Sequence, residues 1–210
     1  MIPSLPILQT TLTASDGCRR CPLHRDRVKV VPGEGDPNAR LLIVGEAPGR
    51  QEDEQGRPFV GDSGALLDRL LSRLPLVGTT ALNRTQGVFI TNVCRCRPPM
   101  NRTPASPEIE ACTPFFWRTL NALPNVRVIV ALGNTPLRFL AQDALARITH
   151  RRGKWFNRVY EGRALRIMPT FHPSYLLRLG PTAAERTLVW ADMLEVVNEL
   201  NGLAGQEVSS

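Results

Sequence analysis

The sequence predicts an α/β protein, a three-layer α/β/α sandwich with a central, mostly parallel, four-stranded sheet, folded as a single domain over residues 1–210. Three observations carry this expectation. Four short apolar runs read as buried strands, and helical patterns lie between them. Their alternation is that of a parallel sheet covered on both faces. A chain of 210 residues is long enough to bury one sizeable core.

In chain order, the first strand is Leu41 to Gly45, followed by an amphipathic helix over Ser63 to Leu74, "SGALLDRLLSRL". Val88 to Thr91 is the second strand, and Ser106 to Leu120 the next helix, with Ser106 as N-cap and Pro107 in the first helical position. The strand Arg127 to Gly133 and the helix Thr135 to Leu145 follow. "KWFNRVYEGRALRIMPT" reads as a hairpin turning at Glu161 and Gly162, a basic flap ahead of the last strand, Arg166 to Thr170. A helix over Thr182 to Leu200 closes the chain, and residues 1–10 and 205–210 read as loose ends.

Composition is that of a soluble globular protein, 42% hydrophobic and 21% charged, and no apolar stretch approaches the roughly 20 residues that span a bilayer. A cytoplasmic protein without a membrane partner is expected. The net charge of +7 and a pI of about 9.8 suit nucleic acid or an anionic membrane surface, and charge alone does not choose between them. The basic residues fall in two groups. One holds Arg95, Arg97 and Arg102; the other holds Arg147, Arg151, Arg152, Lys154, Arg158, Arg163 and Arg166.

Five cysteines, an odd number, argue against a disulfide framework. "CRRC" places Cys18 and Cys21 in one turn, and Cys94, Cys96 and Cys112 supply further thiols from a distant segment, enough for a four-sulfur site. Spacing leaves Cys94 and Cys96 as equal candidates, because side chains two residues apart on extended chain share a face. It also leaves zinc and an iron–sulfur cluster both open.

Ligands of such a sheet bind beyond the carboxyl ends of the strands, and three motifs lie there. "GEAPGRQEDEQGRPFVG", residues 45–61, occupies a crossover where many α/β proteins cradle phosphate, yet it holds four acids, two arginines and no lysine. No nucleotide cofactor is expected. Gly45, Pro48 and Gly49 give a tight turn that a flat ligand can approach, Glu46, Glu52 and Asp53 can orient water, and Phe59 offers a stacking face. In "FITNVCRCRPP", the Asn92 amide has both a donor and an acceptor for a nucleobase edge. "PTFHPSYLLR" puts His172 just after the last strand, followed by a hydroxyl, an aromatic ring, two leucines and Arg178. Such a loop can wedge into a duplex while its cation meets phosphate.

Together, in this order, these motifs and the cysteine spacing resemble the uracil-DNA glycosylase superfamily, specifically family 4, its iron–sulfur members. The resemblance runs from about Cys18 to the final helix. It implies that Cys18, Cys21, Cys96 and Cys112 hold a [4Fe-4S] cluster, leaving Cys94 as an extra thiol. It implies that Gly45, Glu46 and Ala47 line a uracil pocket, that Phe59 stacks on the base, that Asn92 reads its polar edge, and that His172 faces the carbonyl on which negative charge develops. Glu46 or Glu52 then orients water or stabilises the sugar cation. Ser174, Tyr175, Leu176 and Arg178 hold the gap in the DNA, and the basic flap grips phosphates.

The expected activity is monofunctional: a monomer flips uracil out of DNA and hydrolyses its N-glycosidic bond, leaving an abasic site. The alternative is a lesion- or abasic-site-binding protein on the same fold that does not cut. A related branch carries Gln where this chain has Ala47 and captures the sugar covalently through a histidine in an inserted loop. "RPPMNRTPASP" has no histidine, which argues against that route.

Overall fold

The computed structural model describes residues 5–74 and 82–208 and contains six strands in the order β1-β3-β2-β4-β6-β5. The parallel centre is the expected one, with β2 (Leu41–Gly45), β3 (Val88–Asn92), β4 (Val128–Leu132) and β6 (Arg163–Thr170). Two antiparallel edges raise the count from four. The two-residue β1 (Glu34–Gly35) pairs with β3, and β5 (Phe156–Tyr160), the first arm of the hairpin, pairs with β6. Neither edge is a continuous apolar run. β5 alternates between half-buried and exposed positions, as a strand covered on one face does.

The helices are α1 (Leu5–Thr13), α2 (Arg50–Gln55), α3 (Asp62–Leu71), α4 (Ser106–Asn121), α5 (Asn134–Ala141), α6 (Ile148–Arg151), α7 (Pro173–Leu179) and α8 (Glu185–Val208). Leu41 and Ile43 point into one core with Leu67, Leu71, Met193 and Val197, from α3 and α8. Leu42 and Val44 point into the other with Leu8, Phe116 and Leu120, from α1 and α4. Alternation along β2 thus fills both faces of the sheet, giving the three layers. Among the described residues no helix is long and apolar enough to cross a membrane.

Several boundaries differ from expectation. The N-cap of α4 is Ala105 rather than Ser106: the Glu108 carboxylate accepts the Ala105 N–H at 2.7 Å, so the acid at the third helical position does the capping. α5 stops at Gln142, a left-handed residue at φ 53°, short of Leu145. Residues 5–13 are helical, with Leu8 buried, and α8 reaches Val208; residues 1–4 and 209–210 lie outside the described residues.

The hairpin turns at Glu161 and Gly162, both at positive φ, which matches the twist of a two-residue connection. Its position overturns the phosphate-gripping flap. The turn lies at the amino end of β6, whereas Gly45, Asn92, Leu132 and Thr170 mark the opposite edge of the sheet. Its arginines are also engaged. Arg158 donates to the Leu140 carbonyl at 2.7 Å and lies over the Trp117 ring, Arg163 donates to the Leu120 and Leu123 carbonyls, and Arg166 pairs with Glu199. Arg152 pairs with buried Asp192, which also accepts from Thr170 Oγ1 and so ties α8 to the end of β6.

Candidate active site

Register brings the three motifs to one edge. Gly45 lies opposite Asn92 across β2 and β3, and Thr170 opposite Leu132 across β6 and β4. Beyond them lies a cleft of about 390 Å³ whose walls include Glu46, Ala47, Glu52, Phe59, Asn92 and His172. That volume suits a small ligand. Gly45 sits behind the wall rather than in it. A Cβ there would stand 2.3 Å from Asn92 Oδ1 and 2.7 Å from Phe59 Cζ, so the bare backbone lets those two side chains meet.

Asn92 is only 3% exposed, and its Oδ1 is buried with no hydrogen-bond partner among the described residues. An unpaired buried acceptor costs about 1–3 kcal/mol, which a ligand N–H would recover. Phe59 is buried and left-handed at φ 52°, with its ring stacked on that of His172 at 5.6 Å between centroids. Two neighbours hold this unusual backbone. Gly64 leaves no room for a side chain, since a Cβ would lie 1.6 Å from the Phe59 carbonyl oxygen. Arg84 donates to the carbonyls of Pro58 and Phe59, while Glu34 and Asp68 orient its guanidinium.

The two glutamates differ in occupation. Glu52 Oε1 accepts the N–H groups of Val60 and Gly61 at 2.8 and 2.9 Å, and its Oε2 accepts that of Gly49 at 3.1 Å. It closes the 49–61 loop on itself. The Glu46 carboxylate accepts one bond among the described residues, from Thr135 Oγ1 at the start of α5, at 2.5 Å. Its other oxygen is free for a ligand among the described residues. Asp53, the third acid named from the sequence, is buried and accepts from Val28 and Lys29 N–H, outside the cleft wall.

His172 is the N-cap of α7. Its Nδ1 accepts the Ser174 N–H at 3.1 Å and lies 2.8 Å from Ser174 Oγ. Because a backbone N–H can only donate, Nδ1 is unprotonated, and the proton of the neutral ring sits on Nε2. Burial, helped by Arg178 and opposed by Glu52, pushes the pKa down from 6.5 to about 4. The ring is therefore a neutral donor at physiological pH. A sign follows for pH dependence: falling pH protonates the unfolded chain first, so His172 favours the fold above about 6.5 and loses that contribution towards 4. The His172 ring is expected to show no titration near 6.5 when followed by NMR, and a titration there would contradict the neutral-ring assignment.

A second, smaller cavity is lined by Cys18, Cys21, Cys96 and Cys112 together with Arg27 and Arg95. Arg27 donates to Cys96 Sγ and the Arg95 N–H to Cys112 Sγ, each at 3.3 Å. Burial pushes the Cys96 thiol up to about 11 against its bond, while a bond from Cys94, and that of Arg95 after it, hold the Cys112 thiol down. Cys94 is buried and absent from this lining. Among the described residues no three His, Cys, Asp or Glu side chains converge at single-ion distance. Arg95 is itself buried, with Ser15, Phe115 and Thr119 accepting its donors.

Residues 32–194 match the family model of the Uracil DNA glycosylase superfamily. The chain belongs to that superfamily. It is 45% identical over 164 residues to the type-4 uracil-DNA glycosylase of Thermotoga maritima, covering 77% of this chain and 78% of that one. Over 165 residues it is 43% identical to the type-4 uracil-DNA glycosylase of Pyrobaculum aerophilum, with 77% and 80% covered. A type-5 uracil-DNA glycosylase of Thermus thermophilus is 38% identical over 162 residues, covering 67% and 74%.

The loop after the last parallel strand is the one the sequence predicts at the DNA, and helical phase decides which of its residues are exposed. Leu176, expected at the DNA, is 4% exposed and packs in the core; Leu177 is 36% exposed and lines the cleft. Tyr175 is half-buried against Phe171, Ser174 is committed to His172, and Arg178 is exposed beside Tyr175. Sequence reasoning missed Arg84 and Thr135. Neither lies in a motif, and only the packing of distant segments brings them to Phe59 and Glu46.

Proposed function

We propose that this protein excises uracil from DNA as a monofunctional glycosylase and that a [4Fe-4S] cluster ties its first sixth to the sheet. The observation that carries the activity is the unpartnered Asn92 Oδ1 in a buried wall beside the Phe59 ring. A flipped uracil offers a ring N–H to that oxygen, a carbonyl to the Asn92 amide N–H, and a flat face to Phe59. His172 Nε2–H donates to the other carbonyl. As the glycosidic bond breaks, its electron pair passes to the base, and a neutral donor fixed beforehand stabilises the anion that forms. Glu46 stabilises the cationic sugar and takes a proton from the water whose oxygen bonds to the anomeric carbon. Glu46 then gives its proton to solvent and the uracil anion takes one from solvent, leaving free uracil and an abasic site.

Cys18, Cys21, Cys96 and Cys112 would hold the cluster. Their shared cavity and two N–H···S bonds suit a four-sulfur site, and the resemblance to the iron–sulfur members of the superfamily is what favours a cluster over one zinc. The cluster would serve as a structural cross-link, since hydrolysis transfers no electrons. Leu177 enters the duplex in place of the extruded base, and Arg178 meets phosphate.

The test is release of free uracil from a uracil-containing oligonucleotide by purified protein, with iron and acid-labile sulfide measured on the same sample. Uracil release with about four irons per chain is expected. Tight, salt-dependent DNA binding without release would replace the glycosylase reading with a lesion-binding one, and zinc without iron would remove the cluster.

A further inference from the structure

The cleft has a second lip, built unlike the first. It is the segment Arg97–Arg102 after β3, of which Pro98, Asn101 and Arg102 line the cleft. β3 and β6 are separated in the sheet by β2 and β4, so this lip and α7 flank the cleft from strands about 14 Å apart, at roughly 4.8 Å per strand. At its tip Met100 is 93% exposed, more than any other large apolar side chain among the described residues.

The backbone beneath Met100 is strained and pinned. Met100 and Asn101 are consecutive left-handed residues at φ 51° and 56°, a conformation that asparagine tolerates and methionine does not favour. The neighbours hold it there. Asn101 N–H donates to the Pro98 carbonyl at 3.0 Å and Arg102 N–H to that of Pro99 at 3.1 Å. Arg97 Nε donates to Asn101 Oδ1 at 2.7 Å, and Arg102 grips Glu108 through two bonds of 2.7 and 2.8 Å. Two prolines stiffen the approach. An isolated exposed methionine on a supple loop calls for no explanation. One presented by a rigid loop, at a strain that core packing does not repay, calls for a partner.

We propose that Met100 is a second wedge, which inserts into the base stack of duplex DNA from the lip opposite Leu177. Methionine is among the side chains that part base steps, and the flanking Arg97, whose partner among the described residues is the neutral Asn101 amide, places a cation where the sugar–phosphate backbone would pass, whereas Arg102 is neutralised by Glu108. With Leu177 in the gap left by the extruded uracil, Met100 supports the unpaired partner base or its neighbour. This rests on the glycosylase reading for its substrate. It concerns the duplex alone, because a single strand has no opposing stack to open.

The experiment compares wild type, Met100→Ala and Met100→Leu on one uracil sequence, as a duplex and as a single strand. For Met100→Ala the ratio of duplex to single-strand rate is expected to fall about tenfold, while Met100→Leu, which keeps an apolar wedge, retains most of it. A ratio within twofold of wild type in Met100→Ala would overturn the proposal. A second readout needs no bond cleavage: 2-aminopurine opposite the uracil brightens as its stack opens on binding. Loss of that response in Met100→Ala supports the wedge, and an unchanged response overturns it. If wild type releases no uracil from either substrate, the glycosylase reading fails by itself, and the fluorescence still decides the role of Met100.

Discussion

Glu46→Gln is expected to slow single-turnover uracil release by about 10²–10⁴-fold, the range in which a positioned proton acceptor acts, with the urea midpoint of unfolding unmoved. Glutamine has the shape of glutamate, and its carbonyl still accepts the Thr135 hydroxyl. What disappears is the negative charge proposed to face the sugar cation and the proposed proton acceptor for water. Glu52→Gln is expected to show the reverse pattern. Glu52 accepts three backbone N–H groups with its two oxygens, and an amide NH2 in place of one oxygen sets donor against donor. Bonds to a charged acceptor contribute about 1.5–3 kcal/mol each, so a loss near 2–3 kcal/mol of stability is expected. Its activity falls mainly through KM, as the Phe59 loop loosens. Both variants are read by urea unfolding and single-turnover kinetics. A silent Glu46→Gln beside an inactive, fully stable Glu52→Gln would reverse the assignment.

That distinction was closed to the sequence, which places both glutamates in one loop with the same chemistry. The parallel strands were legible because a strand covered on both faces must be apolar throughout, and Leu41 to Gly45 has no polar side chain to misplace. The motifs at the strand ends were legible for a related reason: chain order fixes which loops follow which strands. What failed to show depends on angles and on distant partners. Leu176 and Leu177 are adjacent and chemically identical, and only the phase of α7 buries one and exposes the other. The arginines of the β5–β6 hairpin look like a phosphate grip in one dimension. In three they cap helix carbonyls and stack on Trp117 at the far edge of the sheet. Local charge could not reveal this, because guanidinium groups serve carbonyls and phosphates equally well.

Gly45→Ala is expected to lower kcat/KM for uracil excision by about 10²-fold or more, the scale of a misplacement near 1 Å. The glycine invites reading as a hinge of the turn, but Gly45 is not among the residues at positive φ and could adopt its backbone as alanine. Its role is to leave space. The added methyl would stand 2.3 Å from Asn92 Oδ1 and 2.7 Å from Phe59 Cζ, and atoms do not approach that closely. The Asn92 amide and the Phe59 ring must therefore move, and these are the groups proposed to read and stack the base. Overpacking also costs stability, typically about 1–3 kcal/mol, so the variant is compared by kinetics at a urea-free temperature well below its melting point. Gly202→Ala is the control: it lies in α8 with nothing within 4 Å of the added carbon, and activity is expected to be retained. Wild-type excision by Gly45→Ala would mean that the base does not bind against this wall, and would remove the Asn92 and Phe59 contacts from the mechanism together.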